Sequence, residues 1–154
     1  MKVLFLDIDG VLNSTDWFRR RTKAQQFDHR HELDGDAISC YYDIVHRTGC
    51  KVVLSSTWRL SSTWREDLLQ QGLSTLDIID RTPHMPHPPG TGFEFCERGK
   101  EVVVWLADHP EVTRYAILDD DRDFLTDQPL FKTANQHGLT REIAESVIAH
   151  LNGL

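Results

Sequence analysis

The stretch KVLFLDIDGVLN, residues 2–13, indicates how this chain folds. Its first half is a short apolar run that ends abruptly at Asp7, as a parallel strand buried on both faces does. Two more apolar runs end in the same manner: residues 51–54 are followed by Ser-Ser-Thr, and residues 114–118 by three aspartates. We therefore predict three parallel strands whose carboxyl ends carry polar groups.

Helical patterns separate the apolar runs. Apolar residues recur at helical spacing over residues 34–46 and again over residues 140–151. Thr63, with Glu66 three residues later, fits a capping box and predicts a helix that ends near Gly72. A further helix is predicted over residues 99–108, and further short strands over residues 76–79 and 130–132. This alternation predicts an α/β fold in which helices cover both faces of a parallel sheet.

Length and composition indicate a single globular domain over residues 1–154. Hydrophobic residues make up 40% of the chain and charged residues 27%, which excludes the disordered class. Short insertions are expected at about residues 14–33 and 80–98, and the second contains a loop rich in proline and glycine over residues 81–92. No apolar run approaches the length that a bilayer requires, so we expect no membrane association.

Charge and cysteine content narrow the function classes. The net charge is -7, whereas a protein that binds nucleic acid non-specifically normally has a basic surface. A local basic cluster, Arg19-Arg20-Arg21 with Lys23, keeps polyanion binding open. The three cysteines have no CxxC spacing and the first residues lack the pattern of a signal peptide, so we expect a cytoplasmic location and no zinc site. No feature indicates an obligate protein partner.

The polar groups at the strand ends are expected to meet in one crevice, because ligands of open parallel sheets bind beyond the carboxyl ends of the strands. The strands deliver Asp7 and Asp9, then Ser55, then an acidic run over residues 119–123. Clustered carboxylates repel each other without a divalent cation, and hard oxygen ligands favour Mg²⁺. One carboxylate of the first pair could attack an electrophile while the other transfers a proton, with Gly10 permitting the turn. An acidic pair before a glycine is also common in ordinary turns.

The order of these motifs resembles the haloacid dehalogenase-like (HAD) superfamily of phosphohydrolases. Asp-x-Asp-Gly-Val-Leu, a strand ending in serine, a lysine at a helix start and a strand ending in Asp-Asp follow one another between Lys2 and Asp123. The resemblance implies a three-layer Rossmann-like fold that is capless or has minimal cap insertions. It also implies an enzyme that hydrolyses phosphomonoesters with Mg²⁺ through an aspartyl-phosphate intermediate.

The same resemblance assigns roles to individual residues. It makes Asp7 the nucleophile and Asp9 the general acid and base, with Asp7 and the backbone carbonyl of Asp9 also binding Mg²⁺. It makes Ser55 a ligand of a phosphoryl oxygen. Lys100, at a predicted helix start, would stabilise the negative charge on the nucleophile and the phosphate; a solvated surface lysine is the alternative.

The remaining metal ligand lies in the acidic run after the third strand, where consecutive aspartates make the register ambiguous. Counting from the end of the apolar run gives the pair Asp119 and Asp120, with Asp120 as the principal ligand. Counting back from Arg122 gives Asp120 and Asp121 instead. We favour Asp120, then Asp119, with Asp123 as a supporting carboxylate.

A closer resemblance is to the small HAD domains grouped with the Swiss Army Knife RNA repair proteins. The shared segments are DGVLN at residues 9–13, VLSSTWR at 53–59, Arg-Gly-Lys at 98–100 and ILDDD at 117–121. Polynucleotide 3′-phosphatases and some 5′-nucleotidases are similar in carrying Asp-Asp-Arg at the last of these four segments, where this chain has Asp120-Asp121-Arg122. The resemblance implies a nucleotide or the phosphorylated end of a nucleic acid as substrate. A small-metabolite phosphatase and a non-catalytic module that binds phosphate or nucleotide are the alternatives.

Three further positions are predicted to contact substrate. Gly10 and Ser56 are expected to line the phosphate site, Ser56 through its backbone N–H group unless it serves as a helix cap. Arg59 either reaches a second phosphate or a nucleotide, or is an exposed side chain at the approach to a helix.

Other residues carry two interpretations each. Trp58 and Trp64 either stack on a base or belong to the core. The basic cluster at residues 19–23 either grips a polyanionic substrate or is a solvated charge run. His84 and His87 lie in the proline-rich loop without further ligands for a metal, so we expect them to be exposed loop residues.

Overall fold

A five-stranded, wholly parallel sheet forms the centre of the computed structural model, which describes residues 1–85 and 97–154. The strands are β1 (Lys2–Leu6), β2 (Lys51–Leu54), β3 (Ile78–Arg81), β4 (Arg114–Asp119) and β5 (Leu130–Lys132). Their order across the sheet is β3-β2-β1-β4-β5, so β1 pairs with both β2 and β4. The predicted α/β, Rossmann-like fold is confirmed.

Helices cover both faces of this sheet. Over the described residues they are α1 (Thr15–Arg20), α2 (Lys23–Gln26), α3 (Gly35–Thr48), α4 (Trp64–Gln70), α5 (Glu97–Ala107) and α6 (Arg141–Asn152). Leu4 and Leu6 of β1 are buried on the side of α3, α4 and α6, whereas Phe5 is buried against α5. Phe5 meets Trp105 edge to face, with 5.4 Å between the ring centroids. Each such side chain stabilises the fold by roughly 1.5–3 kcal/mol on burial.

The long helices begin and end close to the predicted positions. The carboxylate of Asp34 accepts a hydrogen bond at the start of α3, and Gly49 ends that helix in a left-handed conformation. The predicted capping box at Thr63 is wrong. Thr63 precedes α4 but makes no side-chain cap, because its hydroxyl donates instead to the carboxylate of Asp67.

Two parts of the chain differ from expectation. The strand predicted over residues 76–79 lies at Ile78–Arg81 and so enters the segment predicted as a loop. Residues 82–85 have no regular structure, while the rest of that loop, with His87 and Cys96, lies outside the described residues. The predicted insertion at 14–33 contains α1, α2 and a 3₁₀ turn, His29–His31, which no hydrophobic pattern had indicated.

The strand order creates a crevice above β1 and β4. Strands β2 and β3 lie on one side of β1, whereas β4 and β5, which come later in the chain, lie on its other side. At such a switch point the connections leave in opposite directions, which opens a crevice beyond the carboxyl ends of the strands. No helix in the described ranges has the length and apolarity needed to cross a membrane.

Candidate active site

Asp7 lies at the end of β1, directly at the switch point. Its backbone N–H donates to the carbonyl of Leu118 at 3.0 Å, which extends the pairing with β4 and fixes the position of the side chain. The carboxylate is buried, and Oδ1 accepts a hydrogen bond from Arg98 Nη2 at 3.1 Å. Burial raises the pKa of Asp7, and the charge of Arg98 opposes that effect.

Arg98, in the first turn of α5, connects the strand ends. Its Nη2 also donates to the carbonyl of Ser55 at 2.9 Å, and its Nη1 lies 3.1 Å from Asp119 Oδ2. Asp123 holds this turn in place, since its carbonyl accepts from Gly99 N at 3.0 Å. Arg98 therefore touches all three strand ends that were predicted to meet.

Arg98 makes the contacts that were expected of Lys100, whose own role stays a prediction. Both residues lie near the start of α5, but positions two apart on a helix point to different sides. Among the described contacts, the basic side chain on Asp7 and Asp119 is that of Arg98. Sequence reasoning selected Lys100 from Arg-Gly-Lys and did not consider Arg98, whose guanidinium contacts the strand ends.

Three carboxylates converge next to Arg98. Asp7, Asp119 and Asp120 each offer an oxygen atom, and these atoms lie within 4.8 Å of one another. Burial raises the pKa of Asp119 to about 7, and the negative charge of Asp7 acts in the same direction. Asp119 Oδ2 is buried and accepts no well-directed hydrogen bond from the residues that the structure describes, although the charge of Arg98 lies close. A cluster of carboxylate oxygen atoms, one of which keeps a lone pair that no hydrogen bond uses, fits a divalent cation.

Gly10 allows Asp120 to approach this group. Its backbone φ is +78°, and a Cβ atom there would lie 2.3 Å from Asp120 Oδ2. Asn135 Nδ2 donates to the same carboxylate at 3.2 Å and orients it. Asp121 instead accepts a hydrogen bond from Arg122 N, within its own exposed turn. Asp119 and Asp120 are therefore the aspartates of the acidic run that join Asp7.

Ser55 presents a buried hydroxyl to the crevice. It follows β2, where its N–H donates to the carbonyl of Leu6 at 2.9 Å, and it is 2% exposed. Its Oγ has no hydrogen-bond partner among the described residues. Ser56 Oγ accepts from Trp58 N at 3.3 Å and so caps the short 3₁₀ turn Thr57–Leu60. An unpartnered buried hydroxyl is costly in the absence of a ligand.

Asp9 is exposed, and its carboxylate is not one of the three that converge. Its Oδ1 accepts from Asn13 Nδ2 at 2.9 Å and its Oδ2 from Trp58 Nε1 at 3.1 Å. Trp58 packs partly buried against the core, as one of its two interpretations required, and its indole N–H also donates to a carboxylate of the site. Trp64 is buried in the core, as one of its two interpretations required.

Arg59 is not the exposed side chain that one interpretation expected, because its guanidinium is engaged within the protein. It is 4% exposed, and Nη2 lies 2.8 Å from Glu101 Oε2 on α5. Its remaining N–H groups donate to backbone carbonyls, including those of Ser55 and Ser56 at 2.8 and 2.9 Å. Arg59 therefore fastens the turn after β2 to α5. Burial of Glu101 with Arg59 could not be detected from the sequence, where 42 residues separate the two.

The basic cluster at residues 19–23 divides into two pairs. Arg20 forms an ion pair with Asp34, and Arg21 lies 3.6 Å from Glu32, so these two hold their own segment together. Arg19 and Lys23 are exposed.

A family model described as the HAD domain in Swiss Army Knife RNA repair proteins matches residues 3–144. That range includes every residue of the site described above. No curated protein and no solved structure matches significantly.

Proposed function

The chain belongs to the family of HAD domains in Swiss Army Knife RNA repair proteins, and from this premise we propose that it hydrolyses phosphomonoesters through an aspartyl-phosphate. The observation that carries the proposal is the position of Asp7. Its buried carboxylate contacts the cation Arg98 and offers an oxygen atom within 4.8 Å of oxygen atoms of Asp119 and Asp120. An anionic nucleophile that attacks a phosphate dianion needs positive charge beside it to offset the repulsion between the two anions.

Mg²⁺ is the cofactor that this site fits. The donors are carboxylate oxygens, one of them is buried without a well-directed hydrogen bond, and glycine stands where a side chain would displace Asp120. We propose that Asp7, Asp119, Asp120 and the carbonyl of Asp9 hold the ion. When bound, it neutralises charge between the carboxylates and the phosphoryl oxygens.

The chain's own residues account for both chemical steps. An oxygen of Asp7 attacks phosphorus, the bond from phosphorus to the ester oxygen breaks, and Asp9 gives its proton to the departing alkoxide. Arg98 and the Ser55 hydroxyl bind the phosphoryl oxygens. In the second step, water attacks phosphorus while Asp9 takes its proton, and the carboxylate of Asp7 leaves with the electrons of the phosphorus–oxygen bond.

We propose a nucleotide or the phosphorylated end of a nucleic acid as the substrate. Helix α1 begins beside the crevice, because Thr15 N donates to the carbonyl of Asn135, whose side chain contacts Asp120. The segment that follows carries exposed groups suited to bases and phosphates: Phe18, Arg19, Lys23 and Phe27. Bases stack on aromatic side chains, and each phosphate attracts a cation. The family's description names RNA repair proteins, which agrees with a nucleotide or nucleic-acid substrate.

The test is hydrolysis of p-nitrophenyl phosphate with and without Mg²⁺. We expect Mg²⁺-dependent turnover that Asp7→Asn abolishes, because an amide cannot supply the attacking anion; mass spectrometry must exclude deamidation back to aspartate. Mg²⁺ binding should be weakened more by Asp120→Ala than by the matched variant Asp121→Ala. Absence of turnover with intact Mg²⁺ binding would favour a non-catalytic module.

A substrate panel then distinguishes the remaining alternatives. It compares nucleoside monophosphates, oligonucleotides phosphorylated at either end and sugar phosphates by their kcat/KM. The highest kcat/KM for a sugar phosphate would indicate a small-metabolite phosphatase.

A further inference from the structure

Both carboxylate oxygens of Asp9 are held by hydrogen-bond donors from separate parts of the chain. Asn13 Nδ2 donates to Oδ1 at 2.9 Å, and Trp58 Nε1 donates to Oδ2 at 3.1 Å. Asp9 is exposed, so water could satisfy its oxygens equally well. Two protein donors on an exposed carboxylate therefore restrict its orientation more than they compensate for lost hydration.

Each donor is itself fixed by the backbone. Asn13 is buried, and its Oδ1 accepts from Gly10 N at 2.8 Å, which turns its Nδ2 towards Asp9. Trp58 stands in the 3₁₀ turn after β2, where its backbone N–H is capped by Ser56 Oγ. The ring of Trp58 also packs against the core, which leaves its N–H at the edge of the crevice.

We propose that Trp58 is a positioning residue that holds Asp9 in the orientation for proton transfer, which deepens the phosphatase proposal and rests on it. A general acid must lie along the line to the leaving oxygen as the ester bond breaks, and small misplacements of such a group cost large factors in rate. The carboxylate of an exposed aspartate rotates freely in water. The indole N–H, with Asn13 on the other oxygen, removes that freedom before substrate binds.

The effect of Trp58 should depend on the leaving group. An alkoxide leaves only with a proton, so cleavage of a nucleoside monophosphate depends on Asp9 as an acid. p-Nitrophenolate is weakly basic and leaves without one. For Trp58→Phe, which keeps the ring and removes the N–H, we expect kcat/KM to fall about tenfold on the nucleoside monophosphate and less than about twofold on p-nitrophenyl phosphate.

Asp9→Asn provides a second arm of the experiment. If Trp58 acts through Asp9, adding Trp58→Phe to Asp9→Asn should cause no further loss of kcat/KM on either substrate, because the two residues act as a unit. The matched control is Trp105→Phe, a buried tryptophan of α5 whose indole N–H donates to Asp80 of β3 at 2.7 Å. That variant should leave the ratio between the two substrates unchanged.

An NMR measurement keeps the test independent of activity. The chain has four tryptophans, so a proton–nitrogen spectrum has four indole signals to follow. Asp9→Ala should shift the signal that Trp58→Phe removes and leave the other three in place; Trp58→Tyr identifies it if the Phe variant does not fold.

Equal losses on both substrates, a further loss in the Asp9→Asn background, or an unmoved Trp58 signal would each overturn the positioning role. The proposed function fails separately, through a wild-type protein without Mg²⁺-dependent hydrolysis, and the positioning role would fall with it.

Discussion

Arg98 Nη2 lies 3.1 Å from Asp7 Oδ1, although 91 residues separate the two along the chain. The contact exists because α5 starts at the carboxyl end of the parallel strands, which is also where β1 ends. A guanidinium keeps its charge at all relevant pH values and is planar and forked, so that one side chain can serve Asp7 and Asp119 together. A lysine in this place would offer a single point of charge.

The first prediction compares Arg98→Ala with Lys100→Ala. Loss of Arg98 removes the cation beside the nucleophile and leaves Asp7 and Asp119 without it, so we expect kcat/KM to fall by about two orders of magnitude or more. Lys100→Ala should cost much less. Steady-state kinetics on p-nitrophenyl phosphate measures both.

A matched control for this comparison is Arg141→Ala. That residue forms an exposed ion pair with Asp43 on α3 and makes no described contact with Asp7, Asp119 or Asp120, so its loss should leave kcat/KM unchanged. The reverse ranking, with Lys100→Ala the more damaging, would favour Lys100 as the cation that stabilises the nucleophile.

The strand ends could be predicted from the sequence because each one is a local pattern. An apolar run followed by Asp7 or Ser55 needs only the next few residues to be recognised. The choice between Arg98 and Lys100 depends on the angle at which α5 meets the sheet, which no local pattern contains. The burial of Arg59 depends on Glu101 in the same way. The side chains at the strand ends could thus be predicted from the sequence. The side chains whose position depends on how α5 packs on the sheet could not.

The second prediction concerns Gly10→Ala. The left-handed φ of Gly10 disfavours a side chain, and a Cβ atom would also collide with Asp120. We expect a loss of about 1–2 kcal/mol in stability from backbone strain, together with a loss of Mg²⁺ affinity. Thermal unfolding and calorimetric titration with Mg²⁺ measure the two effects.

Gly49→Ala separates strain from the collision. Gly49 has a φ of +66°, and no atom of residues 1–85 or 97–154 lies within 4 Å of its Cβ position. It should lose a similar amount of stability and keep full Mg²⁺ affinity. An equal loss of Mg²⁺ affinity in both variants would contradict the contact between Gly10 and Asp120.

The third prediction is a pH dependence of stability without metal. Burial raises the pKa of Asp119 from 3.8 to about 7 and raises that of Asp7 as well. A carboxyl group whose pKa is higher in the folded state stabilises the fold at low pH, and this contribution disappears as the pH rises through the folded-state pKa. Metal-free protein should therefore lose stability from this site between about pH 4 and pH 7.

Asp119→Asn isolates that contribution, because the amide does not titrate. From pH 5 to pH 8, we expect the free energy of unfolding of the variant to rise relative to the native protein by on the order of 1 kcal/mol or more. Urea denaturation in the presence of a chelator is the measurement. A constant difference between the two proteins across this range would show that the carboxyl is already ionised at pH 5.

The last prediction concerns Arg19 and Lys23 and the nature of the substrate. Both are exposed on the segment that begins beside the crevice, whereas Arg20 and Arg21 are engaged with Asp34 and Glu32. A nucleoside monophosphate needs only the phosphoryl site, while an oligonucleotide also meets these cations. Each phosphate contact on a single strand changes the slope of log affinity against log salt by roughly −0.7. KM for a terminally phosphorylated oligonucleotide should therefore rise with salt more steeply than KM for the mononucleotide. The double variant Arg19→Ala/Lys23→Ala should remove most of that difference without changing kcat on the mononucleotide.

Lys51→Ala is the matched control, since Lys51 is exposed at the opposite end of the sheet, where β2 begins. Equal salt dependence of both substrates in the native protein would make a small-molecule phosphatase the better description.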